Sequence, residues 1–296
     1  MQDVILDEQY KDDIKLSGRK NIHRLYSVSK VDTQYEAVRR IGDVGSSVLD
    51  IGCGTGDLLA KLRLIGFRGR LKGIDKYPIV NVAAKSEKIK NLDIELEQMD
   101  IENETEPNNW DVGVMVSILC LTREFKDVIK RYSNICNKMV IVDVGSGAYP
   151  RLNKALPIKI EEVFKTKLTT IERIVSSTIC FNFQDTVAEL MKYYETVNIQ
   201  KLDDAFSFPN ADAVAEYFSK NGRGAWLPEP SESKWGEILA YVKSVAQKEI
   251  EANGVWLEPK PYYVVTAENP AKVVLPYLTY AHQCGSGGRH FEDKRE

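Results

Sequence analysis

Residues 48–59 read Val-Leu-Asp-Ile-Gly-Cys-Gly-Thr-Gly-Asp-Leu-Leu, and no other stretch of the chain restricts its fold as much. A short apolar run that stops in three alternate glycines and resumes with helical periodicity is a strand turning straight into a helix. The glycines let the backbone turn tightly and let a ligand lie against bare peptide. The helix behind them offers unpaired N–H groups and the positive end of its dipole. Such a turn binds nucleotides at the carboxyl edge of a parallel sheet.

The surrounding sequence supplies that sheet. Leu71–Asp75 reads as a second strand, Ile79–Lys90 as a helix, and Ile94–Met99 as a third strand. Asp111–Leu119 is an almost unbroken apolar run, as expected of a strand buried on both faces. Thr122 is placed to cap a helix to Ile135, and Met139–Val144 is a further apolar strand. This alternation is the signature of an α/β, doubly wound sheet. Before it, apolar residues from Ile22 to Ile41 recur at helical spacing. After Gly145 the rhythm breaks into a helical stretch around Ile160–Ser177 and a capping box, Thr186 to Glu189, opening a helix to Tyr194. Val197–Leu202 resumes as a strand, 209–255 is helical around a loop at Gly222–Pro230, and Tyr262–Ala267 is the last strand. The expected organisation is a helical cap over 1–44 and one domain over 45–268. Lid insertions fall at about 145–195 and 203–258, and a flexible tail covers 269–296.

Composition narrows the classes. Of 296 residues, 43% are hydrophobic and 28% charged, the balance of a soluble globular chain. A net charge of −3 gives no general attraction to phosphate, so nucleic acid is disfavoured as a partner. No apolar run approaches the ~18 residues of a membrane span, and Met1 to Asp13 lacks a secretory signal. Five cysteines without CxxC spacing point to free thiols in the cytoplasm. With three histidines, no metal site is expected.

The chemistry turns on carboxylates. A dinucleotide fingerprint, G-x-G-x-x-G, needs glycine at position 57, where this chain has Asp57. Asp50 in the strand and Asp57 in the helix's first turn make a poor pyrophosphate cradle and a good seat for a cation. S-adenosylmethionine carries a sulfonium and an ammonium and no phosphate. Asp75, followed by Lys76, ends strand two, where a carboxylate accepts both ribose hydroxyls. Asp100 ends strand three, set to accept from an adenine amino group while Met99 and Ile101 sandwich the ring. Ser117 and Ile118 end strand four, over the position of the sulfonium. Together Asp50, Gly52, Cys53, Gly54, Gly56, Asp75, Lys76, Asp100, Ile101, Ser117 and Ile118 form the expected cofactor site. Cys53 and Cys120 read as small packing residues rather than nucleophiles.

Asp50-Ile51-Gly52-Cys53-Gly54-Thr55-Gly56 resembles the first motif of the class I S-adenosylmethionine-dependent methyltransferases, Asp75 the second and Asp100 the third. The resemblance covers about residues 30–145, and Val197–Leu202 with Tyr262–Ala267 is similar to that family's last two strands. It implies a Rossmann-like sheet of order 3-2-1-4-5-7-6 with the final strand antiparallel. The stretch FPNADAVAEYFSKNGRGAWLP resembles the substrate-covering helices of the small-molecule branch. In the family a tyrosine from the N-terminal lid covers the methionine part of the cofactor; Tyr26 is the candidate, or else a core tyrosine.

The acceptor is read from presences and absences. Base-amino methylators carry Asn/Asp-Pro-Pro-Tyr after strand four; here Ser117-Ile118-Leu119-Cys120 stands instead. His23 precedes the fold and His282 and His290 lie in the tail, so no histidine is placed as a base for an oxygen acceptor. Nitrogen is therefore favoured over oxygen. Asp143 and Asp204 are candidates to attract a cationic acceptor, Asp143 alternatively capping a turn. Tyr26 and Asp143 are the candidate catalytic groups, and Trp226 and Tyr263 the candidate acceptor-pocket residues. The aromatic insertions suit an organic small molecule or peptide natural product, or else a satellite core. The rival readings are methylation of RNA or protein, a non-catalytic S-adenosylmethionine-binding module, and a nicotinamide oxidoreductase, which Asp57 disfavours.

Overall fold

Four consecutive buried residues, Val48–Ile51, form strand β1 inside a seven-stranded sheet, so this strand is covered on both faces. The computed structural model describes residues 21–43, 45–145, 148–165, 172–173, 183–221, 226–227 and 230–271. A helical stretch at 21–26 and helix α1 (Thr33–Ile41) precede β1. Then follow α2 (Asp57–Leu64), β2 (Leu71–Asp75), α3 (Ile79–Ala84), β3 (Glu95–Gln98) and β4 (Trp110–Val116). Next come α4 (Phe125–Ser133), β5 (Cys136–Val144), α5 (Pro150–Phe164) and the two-residue β6 (Glu172–Arg173). The chain continues through α6 (Phe183–Leu190), β7 (Tyr194–Leu202), β8 (Ala205–Phe208), α7 (Ala211–Asn221) and β9 (Trp226–Leu227). It ends with α8 (Glu232–Asn253), β10 (Trp256–Pro259) and β11 (Tyr262–Pro270).

The large sheet has the order β3-β2-β1-β4-β5-β11-β7. β1 to β5 pair in parallel, and β11 runs antiparallel to both β5 and β7. This is the mixed, doubly wound sheet the sequence implies. Two of its buried clusters flank the sheet. One gathers Leu49, Ile51, Ile74, Met115 and Ile141 with Tyr132 and Leu190; the other gathers Val48, Val114 and Val142 with Leu58, Leu59 and Leu62.

A third cluster stands apart. Phe206, Phe208, Val214, Tyr217, Ile238 and Trp256 pack with Leu156, Ile160 and Ile22, joining α5, α7, α8 and the β8–β10 ribbon to the N-terminal stretch. The aromatic insertions thus hold a core of their own.

Several local readings shift. The helix expected to Lys90 stops at Ala84, and Ser86 turns its hydroxyl onto the Ala83 carbonyl instead. Thr122 bonds the Leu119 carbonyl rather than capping α4, which starts at Phe125. Thr186 lies inside α6, whose first turn begins at Phe183, so the expected capping box is not one. The helix expected over 160–177 is α5, ending at Phe164. The parts of that expectation at 166–171 and 174–177 lie outside the described residues, as does most of the expected tail.

Candidate active site at the carboxyl edge

Parallel strands bring their carboxyl ends to one edge. Asp50 lies one residue before the end of β1, Asp75 ends β2, Asp100 follows β3, Ser117 follows β4 and Asp143 lies one residue before the end of β5. β11 runs the other way, so its start at Tyr262, and Lys260 just before it, share that edge. Tyr262 pairs with Val144 on one side and Leu202 on the other.

The glycine loop is shaped by close approach. Gly52 has φ +78°, and a Cβ there would lie 2.4 Å from Ile118 Cγ1. The Gly52 and Cys53 N–H groups both donate to the Ile74 carbonyl, at 2.8 and 3.0 Å. Gly56 has φ +70° and opens α2. Cys53 turns its thiol toward Gly73, where a Cβ would lie 2.7 Å from its sulfur. Burial, with Asp50 and Asp75 nearby, pushes that thiol well up, so it is a packing group.

Two carboxylates hold the loop differently. Asp75 accepts from the Gly54 N–H at 2.8 Å and the Tyr77 N–H at 2.9 Å, and burial still leaves its carboxyl above the usual value. Asp50 is 3% exposed and meets no hydrogen-bond donor among the described residues. Burial, with the charges of Asp75 and Asp57 added, pushes its carboxyl up to about 8. Asp57 is paired with Lys88 in the first turn of α2. A buried acid without a donor, set beside bare glycine peptide, fits a ligand that brings donors or positive charge. A cationic nucleoside has both.

The next tip is polar. Asp100 accepts from the Glu102 N–H at 3.0 Å and Asn103 Nδ2 at 2.9 Å, with Lys76 Nζ at 3.5 Å. Burial pulls its carboxyl up, but these bonds and the Lys76 charge outweigh it and leave it below the usual value. Ile101 is buried beside Met99 in the same cluster as Ile51 and Ile74. At the β4 tip Ser117 takes the left-handed region, φ +55°, and donates its N–H to Val142. The backbone is strained there, next to Ile118 over Gly52.

On the acceptor side the structure departs from several expectations. Asp143 accepts from the Cys120 and Val144 N–H groups at 3.2 and 2.8 Å, so it braces the β4 and β5 tips. Burial pushes its carboxyl up to about 6. Asp204 is wholly buried and paired with Lys260, so its charge is not available to draw a cationic acceptor. Tyr26 is partly buried and packs its ring 5.0 Å from Phe208. Tyr263 stacks on Phe183 at 3.9 Å and lies against Gly145. Trp226 pairs through its backbone with Arg173; its side chain lies outside the described residues. His23, read as preceding the fold, stands 3.3 Å from the Tyr262 hydroxyl through Nδ1. No short-range pattern reports that contact, which spans 239 residues, or the one to Lys260, which spans 237.

The comparisons agree with this geometry. A family model described as a methyltransferase domain matches residues 43–202, a little over half of the chain. No curated protein matches significantly. A candidate methyltransferase of Bacillus halodurans C-125 is 12% identical, with TM-score 0.53, covering 80% of this chain and 98% of its own. The YcgJ protein of Bacillus subtilis is also 12% identical, with TM-score 0.51 and the same coverage. At these identities the two structures show the shared fold alone. With the matched domain laid over the sheet tips just described, the chain belongs to the class I S-adenosylmethionine-dependent methyltransferases.

Proposed function

We propose that the protein transfers the methyl group of S-adenosylmethionine to a nucleophilic heteroatom of an organic small molecule or peptide natural product. The observation that carries this reading is Asp50, a buried acid without a donor behind a glycine loop that Asp75 holds in place. When bound, the cofactor supplies a methyl carbon on cationic sulfur. Asp75 would take the ribose hydroxyls; Asp100, Lys76 and Ile101 would hold the adenine; Asp50, Gly52, Cys53, Gly54 and Gly56 would carry the methionine end. Ser117 and Ile118 would close over the reacting centre. The chain's part is to position and desolvate the two partners.

Nitrogen is favoured over oxygen as the methylated atom, although Asp204, paired with Lys260, is not one of the acids that would draw a cationic acceptor. The cap over 1–44 and the lid segments at about 145–195 and 203–258 are proposed to enclose the acceptor, helped by the separate aromatic core.

For RNA or protein as acceptor, a basic face beside the glycines would be needed. Arg63, Arg68 and Arg70 cluster at the opposite edge, before β2, interleaved with Asp93 and Glu95. A non-catalytic module would bind cofactor and methylate nothing. Incubation with labelled S-adenosylmethionine and a metabolite extract, followed by mass spectrometry, separates the readings: a methylated organic product supports ours, and labelled RNA or protein alone refutes it. Among the described residues no helix is long and apolar enough to cross a membrane.

A further inference from the structure

β7 is the outermost strand of the large sheet. It pairs with β11 along one edge, and among the described residues no strand pairs with the other. It is nine residues long, contains no proline, and keeps unbroken register with β11 from Thr196 to Leu202. A long open edge of this kind is a template for a further strand. The opposite edge of the sheet is built differently. β3 has four residues, and its Glu95 and Glu97 hold Lys72 of β2. Short length and charge blunt that edge, whereas β7 carries charge only towards its ends. Asn198, Ile199, Gln200 and Lys201 of β7 are exposed, Ile199 at 45%.

Neighbouring bonds fix which backbone groups this edge offers. The Gly145 N–H donates to the Pro261 carbonyl, and the Lys260 N–H to the Asp204 carbonyl, both at 2.9 Å. Bonded pairs alternate along an antiparallel ladder. Tyr262, Val264 and Thr266 therefore bond towards β7, and their partners Leu202, Gln200 and Asn198 bond back. Val197, Ile199 and Lys201 turn their N–H and C=O groups outward. The side chains supply a register for a strand laid there. Placed antiparallel on itself about a two-fold axis through Asn198, β7 sets Val197 opposite Ile199 and Glu195 opposite Lys201, each twice, with Thr196 opposite Gln200. Outward backbone groups then meet outward groups. A slip of two residues sets Glu195 against Ile199 or against Asp203, and a slip of one brings outward groups opposite inward ones. Lys201 is paired with Asp203, 50% and 81% exposed, and a pair so exposed exchanges at little cost.

We propose that the free edge of β7 docks a second copy of this chain, the two joined by antiparallel strand pairing centred on Asn198. The proposal goes beyond the methyltransferase reading and does not depend on it. β11 opposes both β5 and β7, so β7 runs in the same direction as β1 to β5. The two-fold axis therefore merges two sheets into one and points their carboxyl edges in opposite directions. Each chain keeps its own set of strand tips.

Sedimentation equilibrium of the full chain should give a mass that rises with concentration to twice that of one chain. A monomer at every concentration overturns the proposal, whatever else covers the edge. Ile199→Pro removes an outward N–H and spares the ladder to β11, so it should abolish the dimer and keep the circular dichroism of the fold. A dimer that survives in the folded variant overturns the proposal. Charge reversal decides the matter even where the proline variant unfolds. Lys201→Glu and Glu195→Lys each set like charges opposite at both pairs and should weaken association roughly tenfold, and the double variant should restore it. Unchanged association in the single variants, or no recovery in the double, overturns the proposal. Asn198→Cys places two thiols at a non-hydrogen-bonded pair with Cα atoms about 4.5 Å apart, within reach of a disulfide. Mild oxidation should cross-link that variant and not the parent; equal cross-linking of the two, or none in either, overturns the two-fold register.

Discussion

Asp75 accepts a hydrogen bond from the Gly54 N–H at 2.8 Å, so the carboxylate at the tip of β2 holds the loop at the tip of β1. One residue therefore sets the shape of the loop proposed to hold the cofactor. Asp75→Ala is expected to weaken S-adenosylmethionine binding by more than a factor of ten, above ~1.4 kcal/mol. Titration calorimetry reads this directly, and unchanged affinity would refute the assignment.

Gly52 and Ile118 make a second test. An alanine at 52 must adopt φ +78° and set its Cβ 2.4 Å from Ile118 Cγ1. The backbone part alone costs ~1–2 kcal/mol. Gly52→Ala should lower thermal stability and cofactor affinity together. Adding Ile118→Ala should recover the steric part and leave the backbone part, a coupling that a double-mutant cycle measures. Additive losses would contradict the contact.

Asp50 predicts a pH dependence. Its carboxyl sits at about 8 in the fold, pushed up by burial and by Asp75 and Asp57. In the unfolded chain it lies near ~3.9. Between those values the folded state holds a proton that the unfolded state lacks, so this group's contribution to stability declines as pH rises through that window. Asp50→Asn should then raise the Tm of the cofactor-free protein at pH 9 more than at pH 6, ~2 °C for each ~1 kcal/mol. Cofactor binding below pH 8 should release a proton, visible as a dependence of the calorimetric enthalpy on buffer. An equal Tm difference at both pH values would count against this account.

A structural ion pair gives the fourth. Lys72 and Glu106 are 4% and 0% exposed and lie 2.6 Å apart. Burial works against both charges, but the bonds Lys72 donates to Glu106, Glu97 and Glu95 outweigh it, and its ammonium is raised. At Glu106 the bonds from Lys72 and Asn108 outweigh burial and lower it. Lys72→Met leaves Glu106 buried and uncompensated, at a cost of about 3 kcal/mol in chemical denaturation. The glutamate's share of stability is present above its unfolded value of ~4.3 and fades as pH falls through the lower folded one. A variant as stable as the parent would contradict the pairing.

The sheet was legible because its evidence is local. Val48–Ile51, Leu71–Asp75 and Asp111–Val116 announce buried strands by apolar runs, and the glycines mark the turn that follows the first. β8 and β10 were not legible, being four residues each: Ala205–Phe208 lies between β7 and α7, and Trp256–Pro259 between α8 and β11. A capping signal misled where a hydroxyl had another use, as at Thr122. That Asp50, Asp75 and Asp100 stand at successive strand tips could be read from their spacing. The state of Asp204 could not, because its partner Lys260 lies 56 residues away. His23 is the sharpest miss, since nothing near it in sequence predicts Tyr262.

The central claim is that three carboxylates at adjacent strand tips, Asp50, Asp75 and Asp100, suit a cationic adenosyl donor rather than a diphosphate. Parallel calorimetric titrations of the full chain with S-adenosylmethionine and with NADH test it most directly. The account predicts saturable one-to-one binding of S-adenosylmethionine and none of NADH. Binding of NADH, or heat-silent, unsaturable behaviour with S-adenosylmethionine, would contradict it.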